Sequence, residues 1–334
     1  MSQRALASTG RMAEHRRMSW IRFLPAVLAA CLLSPAPGSA RPAAAATGEH
    51  RFSVGKVGLW YRVAGKTGDI PVIFLHGGPG EGSQTFARYA GPALETQLRM
   101  VYLDQRGSGR SDRPKAAENY SIAQLVDDIE ALRRELGAPR IDLIGHSFGT
   151  ILGLEYAARY PGRVAHLVLA GAVPDLPRAI DIQCARLEKT DPAAFARAAR
   201  DIRPGAYPRC NAFDAYEGAA MSAAIHRNMY PDAETGRKVD ATDAADGLRN
   251  TGELGRALSA QGLWSYRFAD AARVTAPTLI IAGGRDLQAV EQPQLYLAQV
   301  LPRGRFLRYP QNGHFMFVED PQRFAKDVAA FLRR

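Results

Sequence analysis

Residues Gly145-His146-Ser147-Phe148-Gly149 place a serine between two glycines, where an apolar strand-like run, Ile141 to Ile144, meets a helix-like run from Phe148 to Tyr160. A strand that turns abruptly into a helix forces the turn residue into a strained conformation, and glycines two places before and after it remove side chains that would collide there. The serine Oγ is left standing clear of the sheet, and the helix N-terminus stabilises negative charge beside it. A chance Gly/Ser pattern would lack the flanking strand and helix. Such a serine attacks carbonyls if a base takes its proton and an acid holds the base in one tautomer, which predicts the chain order Ser, then Asp or Glu, then His. After the apolar run Thr278 to Ile281 comes Ala-Gly-Gly-Arg-Asp, ending at Asp286, and after the run Arg305 to Tyr309 comes Gln-Asn-Gly-His-Phe, carrying His314. Parallel strands deliver such loops to one edge of a sheet, so Ser147, Asp286 and His314 are expected to converge there.

Of the seven histidines, His15 falls in a leader-like segment, and His50, His166 and His226 lack a loop of this kind after a late strand. His76 and His146 sit inside turn motifs and read as structural hydrogen-bonding residues. The run Val72 to Leu75 leads into His76-Gly77-Gly78-Pro79-Gly80, a tight turn whose amides can face a developing oxyanion. Pro79 has no N–H, which leaves Gly78 as the donor expected to act with the amide of Phe148. A phosphate-cradling loop is excluded, because the Lys and Ser/Thr of a P-loop are missing.

The elements that must position these groups alternate. Short apolar runs at Leu59–Ala64, Val72–Leu75, Met100–Leu103, Ile141–Ile144, Val164–Ala170, Thr278–Ile281 and Arg305–Tyr309 are separated by longer periodic segments, the pattern of a mostly parallel central sheet flanked by helices. Ser121 with Gln124 starts a helix whose stripe is Ile122, Leu125, Ile129, Leu132 and Leu136, and Gly137 with Pro139 ends it. Asp320-Pro321 begins the last helix, with Phe324, Val328 and Phe331 on its buried face. Residues 174–270 break the alternation: they are rich in Ala and Arg, contain the helix start Asp191-Pro192, and lack strand-like runs. They read as a helical lid inserted between a first core part, 41–173, and a second, 271–334.

Three motifs carry a family resemblance: His-Gly-Gly-Pro-Gly at 76 to 80, Asp-Gln-Arg-Gly-Ser-Gly-Arg-Ser at 104 to 111, and the serine pentad. Together they resemble the α/β-hydrolase superfamily and, within it, the proline iminopeptidase family, over the chain beyond about residue 50 except for 174–270. The resemblance implies the α/β-hydrolase fold and cofactor-free hydrolysis through an acyl-enzyme, with N-terminal proline or a similar residue released from a small or short peptide substrate. It also implies lid glutamates that hold the substrate's α-ammonium. Glu217, within Phe213-Asp214-Ala215-Tyr216-Glu217, is the first candidate, ahead of Glu188 and Glu81. One departure widens the substrate question. The family's pentad often reads Gly-Gly-Ser-Trp-Gly, whereas the form here is shared with esterases and lactonases, so an acyl ester or lactone substrate stays open. A non-catalytic binding protein of the same fold is the third reading, and an intact triad argues against it.

The chain of 334 residues suits one large catalytic domain with a lid. Its first 40 residues read as a signal peptide: Arg16, Arg17 and Arg22 precede the apolar stretch Phe23 to Leu33, and Gly38-Ser39-Ala40 offers a cleavage site. An exported, periplasmic or extracellular protein is expected. The alternative is a lipid anchor at Cys31, within the lipobox-like Leu28-Ala29-Ala30-Cys31. Loss of the five Arg and one Glu of residues 1–40 lowers the formal charge from +10 to +6, and no basic run with interleaved aromatics points to nucleic acid. It also leaves two of the three cysteines, Cys184 and Cys210, which in an oxidising compartment are expected to pair. No Cys/His cluster indicates a metal.

Overall fold

The structure, a computed structural model, describes residues 45–67, 70–115, 119–248 and 250–333. The expected signal peptide, with Cys31, lies outside the described residues. Eight strands form one sheet: β1 (Gly48–Val54), β2 (Val57–Gly65), β3 (Pro71–Leu75), β4 (Arg99–Asp104), β5 (Ile141–His146), β6 (Val164–Ala170), β7 (Thr278–Gly283) and β8 (Gly304–Tyr309). Their spatial order is β1-β2-β4-β3-β5-β6-β7-β8. The first two pairings are antiparallel and the others parallel. Seven of these strands coincide with the apolar runs of the sequence. The eighth, β1, is an edge strand of alternating half-buried and exposed residues, too polar at His50, Arg51 and Ser53 to stand out as an apolar run.

Alternation along each strand divides the interior into two layers. Val72, Phe74, Met100, Tyr102 and Ile144 face one core, and Ile73, Leu75, Val101, Leu103 and Leu143 face the other. Helices α1 (Gln84–Tyr89) and α2 (Gly91–Glu95) cover the first layer through Phe86 and Leu94. Helices α3 (Ile122–Glu135) and α4 (Phe148–Arg159) cover the second through Leu125, Ile129, Leu132 and Ile151. Each such fully buried side chain contributes roughly 1.5–3 kcal/mol from removal of apolar surface. The α3 start follows its sequence signal, with Ser121 Oγ accepting from the amide of Gln124 at 3.1 Å.

Between β6 and β7 the chain forms α5 (Leu176–Thr190), α6 (Pro192–Ala198), α7 (Gly218–Met229), α8 (Ala233–Ala245) and α9 (Glu253–Ala260). The two ends of this segment are tied together where it leaves the sheet: Leu176 donates to Tyr266 O at 3.0 Å, and Phe268 donates to Pro174 O at 2.8 Å. Ile180, Cys184, Ala194, Ala198, Cys210 and Ala215 give it a small core of its own. Cys184 and Cys210 are joined there by a disulfide, with an S–S distance of 1.98 Å. The chain then returns through α10 (Glu291–Val300), α11 (Met316–Glu319) and α12 (Pro321–Leu332), where Asp320 accepts from the amide of Arg323 at 3.3 Å.

Strand β3 lies between β4 and β5, so chain progression reverses direction there. At such a switch point the loops leaving adjacent strands diverge and open a crevice beyond their carboxyl ends. The loop after β3 carries His76 to Glu81, and the turn after β5 carries Ser147.

Candidate active site

Ser147 adopts φ 51 and ψ −119 and is the only non-glycine residue with a clearly positive φ among the described residues. Its surroundings explain both glycines of the pentad. A Cβ on Gly145 would lie 2.6 Å from Gly149 O, and one on Gly149 would lie 2.1 Å from Leu75 O. The turn is therefore packed against β3 so closely that any side chain at either place would displace backbone. Ser147 N donates to Ala170 O at 3.0 Å, fixing the turn to β6.

His314 and Asp286 meet behind the same edge. His314 Nδ1 lies 2.7 Å from Asp286 Oδ2, both side chains being essentially inaccessible to solvent. The other Asp286 oxygen accepts from the amides of Gln288 at 2.8 Å and Ala289 at 2.9 Å, so the carboxylate is oriented by its own loop. His314 is held from two further sides: its amide donates to Met229 O at 2.8 Å, and His146 Nε2 lies 3.0 Å from its carbonyl. Burial opposes a charged imidazole at His314, but contact with the Asp286 carboxylate, reinforced by Glu81 and Glu319, raises its pKa above the ordinary value. His146 goes the other way, since burial and the neighbouring His314 keep it neutral, able to donate from Nε2. Gly171 was not singled out by sequence reasoning. With φ 58 it passes so close to the dyad that a Cβ would lie 3.0 Å from His314 Nδ1.

The glycine-rich loop is built by the second motif. Asp104 accepts from Ser83 N at 2.8 Å, Ser83 Oγ at 2.7 Å and Arg110 N at 2.9 Å. Gln105 Nε2 donates to His76 O at 3.0 Å, and Gln105 N donates to His76 Nε2 at 3.1 Å, which leaves His76 Nδ1–H for Gly77 O. Arg106 is locked by two 2.6 Å bonds to buried Asp128. The run 104 to 111 thus acts through the loop and not on substrate. Gly78, at φ 110, has room for no side chain, because a Cβ would meet Gly80 N at 2.6 Å.

A cavity of about 360 Å³ opens over these groups and is lined by Ser147, Phe148, His314 and Gly78. The four residues expected around a tetrahedral oxyanion thus share one space, with Asp286 behind His314. Ile151, Val173, Leu176, Ile180 and Phe315 make much of the remaining wall apolar, and α5 and α7 roof it. The lid reaches the loop directly, with Asn250 Nδ2 donating to Pro79 O at 2.9 Å.

Glu217 is not brought to this cavity. It is exposed at the N-cap of α7, because the turn that sends the Tyr216 hydroxyl inward to Asp191, at 3.0 Å, directs the next residue to solvent. Glu188 is also exposed and pairs with Arg209 at 3.3 Å. The carboxylate in the cavity is Glu81, the residue after the glycine-rich turn. Gly77 separates it from Ser147: a Cβ there would lie 3.1 Å from Ser147 Cβ and 3.3 Å from Glu81 Oε2. Burial and nearby Asp243 push the Glu81 carboxyl up to about 7, against the pull of His314. Among the described residues, no cluster of His, Cys, Asp or Glu could hold a metal ion.

Comparison with known proteins agrees with this architecture. The sequence profile of the alpha/beta hydrolase fold family matches residues 70–321. Proline iminopeptidase PfmaB of Pestalotiopsis fici is 27% identical over 287 residues, covering 83% of this chain and 96% of that protein. A proline iminopeptidase-related protein from Thermus thermophilus superposes with a TM-score of 0.71 at 23% identity, covering 86% of this chain and 98% of the other. An enol-lactonase from Burkholderia xenovorans superposes with a TM-score of 0.63 at 22% identity, covering 85% and 100%. The latter two share the fold at identities too low to carry a substrate. The match over most of the chain, on a sheet of the expected order, makes this protein a hydrolase of the α/β-hydrolase fold family.

Proposed function

We propose that the protein is a serine aminopeptidase that removes N-terminal proline, or a similarly small residue, from short peptides through an acyl-enzyme. The observation that carries this reading is Glu81, a carboxylate beside Ser147 in a cavity whose walls are otherwise largely apolar. A charge-assisted bond from a substrate ammonium to Glu81 holds the amino end, and apolar side chains such as Ile151 and Phe315 accommodate a ring. An ester or lactone has no group that calls for an acid at that place. The 27% identical proline iminopeptidase supports the same substrate class.

In this mechanism Ser147 Oγ attacks the carbonyl carbon as His314 Nε2 takes its proton, and Asp286 stabilises the imidazolium through Nδ1–H. The amides of Phe148 and Gly78 hold the oxyanion. His314 then gives the proton to the leaving nitrogen, and water, activated by the same imidazole, releases the acyl group and restores Ser147.

The test compares three substrates: proline p-nitroanilide, its N-acetyl derivative and p-nitrophenyl acetate. Turnover of the free amine, with loss of at least about tenfold in kcat/KM on N-acetylation, is the expected result for an ammonium held by a charged partner. Efficient ester hydrolysis without cleavage of free-amine substrates moves the assignment to the esterase or lactonase reading.

We further propose that the protein works outside the cytoplasm. The leader-like first 40 residues and the lid disulfide support this. Fractionation of expressing cells tests it: activity confined to the cytoplasm would refute export, and activity solubilised only by detergent would favour an anchor at Cys31.

A further inference from the structure

Gln183, Ile225 and Gln288 line the catalytic cavity and also a second, partly open cavity of about 250 Å³, set between α5 and α7 beside the loop that carries Asp286. Gln183 Nε2 donates to Gln288 O at 2.8 Å, and Gln288 N donates to Asp286 Oδ1 at 2.8 Å, so the shared wall is tied to the catalytic dyad. The chamber's lining is charged differently from the catalytic cavity. Arg186 and Arg227 both face it, and the carboxylate in its lining, Asp191, is already engaged by the amide of Ala194 at 2.9 Å and the hydroxyl of Tyr216 at 3.0 Å. Arg186 donates to the neutral Asn228 Oδ1 at 3.1 Å, and neither arginine has an ion-pair partner among the described residues. Two guanidinium groups against a single carboxylate leave this lining with net positive charge, which favours an anion.

We propose that this chamber is the leaving-group subsite and takes the C-terminal carboxylate of a di- or tripeptide through Arg186 and Arg227. The assignment rests on the aminopeptidase reading and extends it. Glu81 and Ser147 in one cavity, and the arginine pair in the cavity across their shared wall, supply the groups a zwitterionic short peptide calls for: acid for the ammonium, nucleophile at the first carbonyl, cations for the carboxylate. An acyl ester with a neutral leaving group would use neither the acid nor the cations.

The experiment measures kcat and KM for prolyl-glycyl-glycine, its C-terminal amide and proline p-nitroanilide, in the wild type and in Arg186→Gln/Arg227→Gln. The wild type is expected to prefer the free acid over the amide by about tenfold in kcat/KM, chiefly through KM and less at high salt. The double variant is expected to lose that preference while cleaving the p-nitroanilide as before, which also reports an intact fold and triad. Arg227→Gln alone, at an exposed helix position, should lose part of the preference. Equal cleavage of acid and amide by the wild type, or a preference that survives in the double variant, overturns the subsite and leaves the aminopeptidase reading standing. Failure to cleave any free-amine substrate while p-nitrophenyl acetate is hydrolysed overturns both.

Discussion

The left-handed backbone at Ser147 exists only because Gly145 and Gly149 let β5, β3 and α4 close around it. In the proposed mechanism, replacing Ser147 by Ala removes the nucleophile and nothing else, so turnover should fall by about three orders of magnitude or more with thermal stability nearly unchanged. Gly149→Ala should do the reverse kind of damage. Its Cβ would be driven to 2.1 Å from Leu75 O, and a forced shift of that kind costs about 1–3 kcal/mol, read as a lowered Tm together with lost activity. The pH profile follows from His314. The imidazole must be neutral to accept the serine proton, and its pKa is raised, so kcat/KM should fall with acidification through a point above the ordinary imidazole value. Glu81 is among the charges that raise it; Glu81→Gln should therefore move that limb to lower pH while weakening binding of free-amine substrates. A limb that stays in place would show that Glu81 is not ionised beside His314 in the working enzyme.

Among elements, the divide between what could be read in the chain and what could not follows the range of the forces involved. The serine turn, the Asp286 and His314 loops and the caps at Ser121 and Asp320 are specified by residues within a few positions of one another, and their sequence signals match the observed elements. Strand β1 escaped because an edge strand needs only one buried face. The acid in the cavity escaped for a different reason. Glu81 is aimed by its loop's attachment to Asp104 and Gln105, about twenty residues away in sequence, whereas Glu217 looked better from local aromatic neighbours that the fold turns elsewhere. In the lid, the disulfide joins the α5 helix that roofs the site to the segment before α7. Cys184→Ser/Cys210→Ser should lower stability by roughly 2–4 kcal/mol. Thiol titration of the denatured, unreduced protein should find neither of these two sulfurs reactive, and two reactive thiols from this pair would contradict the bridge.

For the molecule as a whole, the proposed function makes size a criterion of selection. Ser147 lies under α5 and α7, in a cavity adjoined by the proposed carboxylate subsite across Gln183, Ile225 and Gln288. Rates along a series of proline-headed peptides should therefore be highest at two or three residues and decline steeply beyond, with no release of proline from a folded protein. Sustained rates on peptides of ten or more residues would mean that the roof lifts freely.

The hydrogen bond from Asn250 to Pro79 gives the lid a second office. Asn250 belongs to the segment inserted between β6 and β7, and Pro79 follows Gly78, the proposed oxyanion donor. That segment and the glycine-rich loop are thereby joined by one carboxamide, so a change that removes it unties both at once.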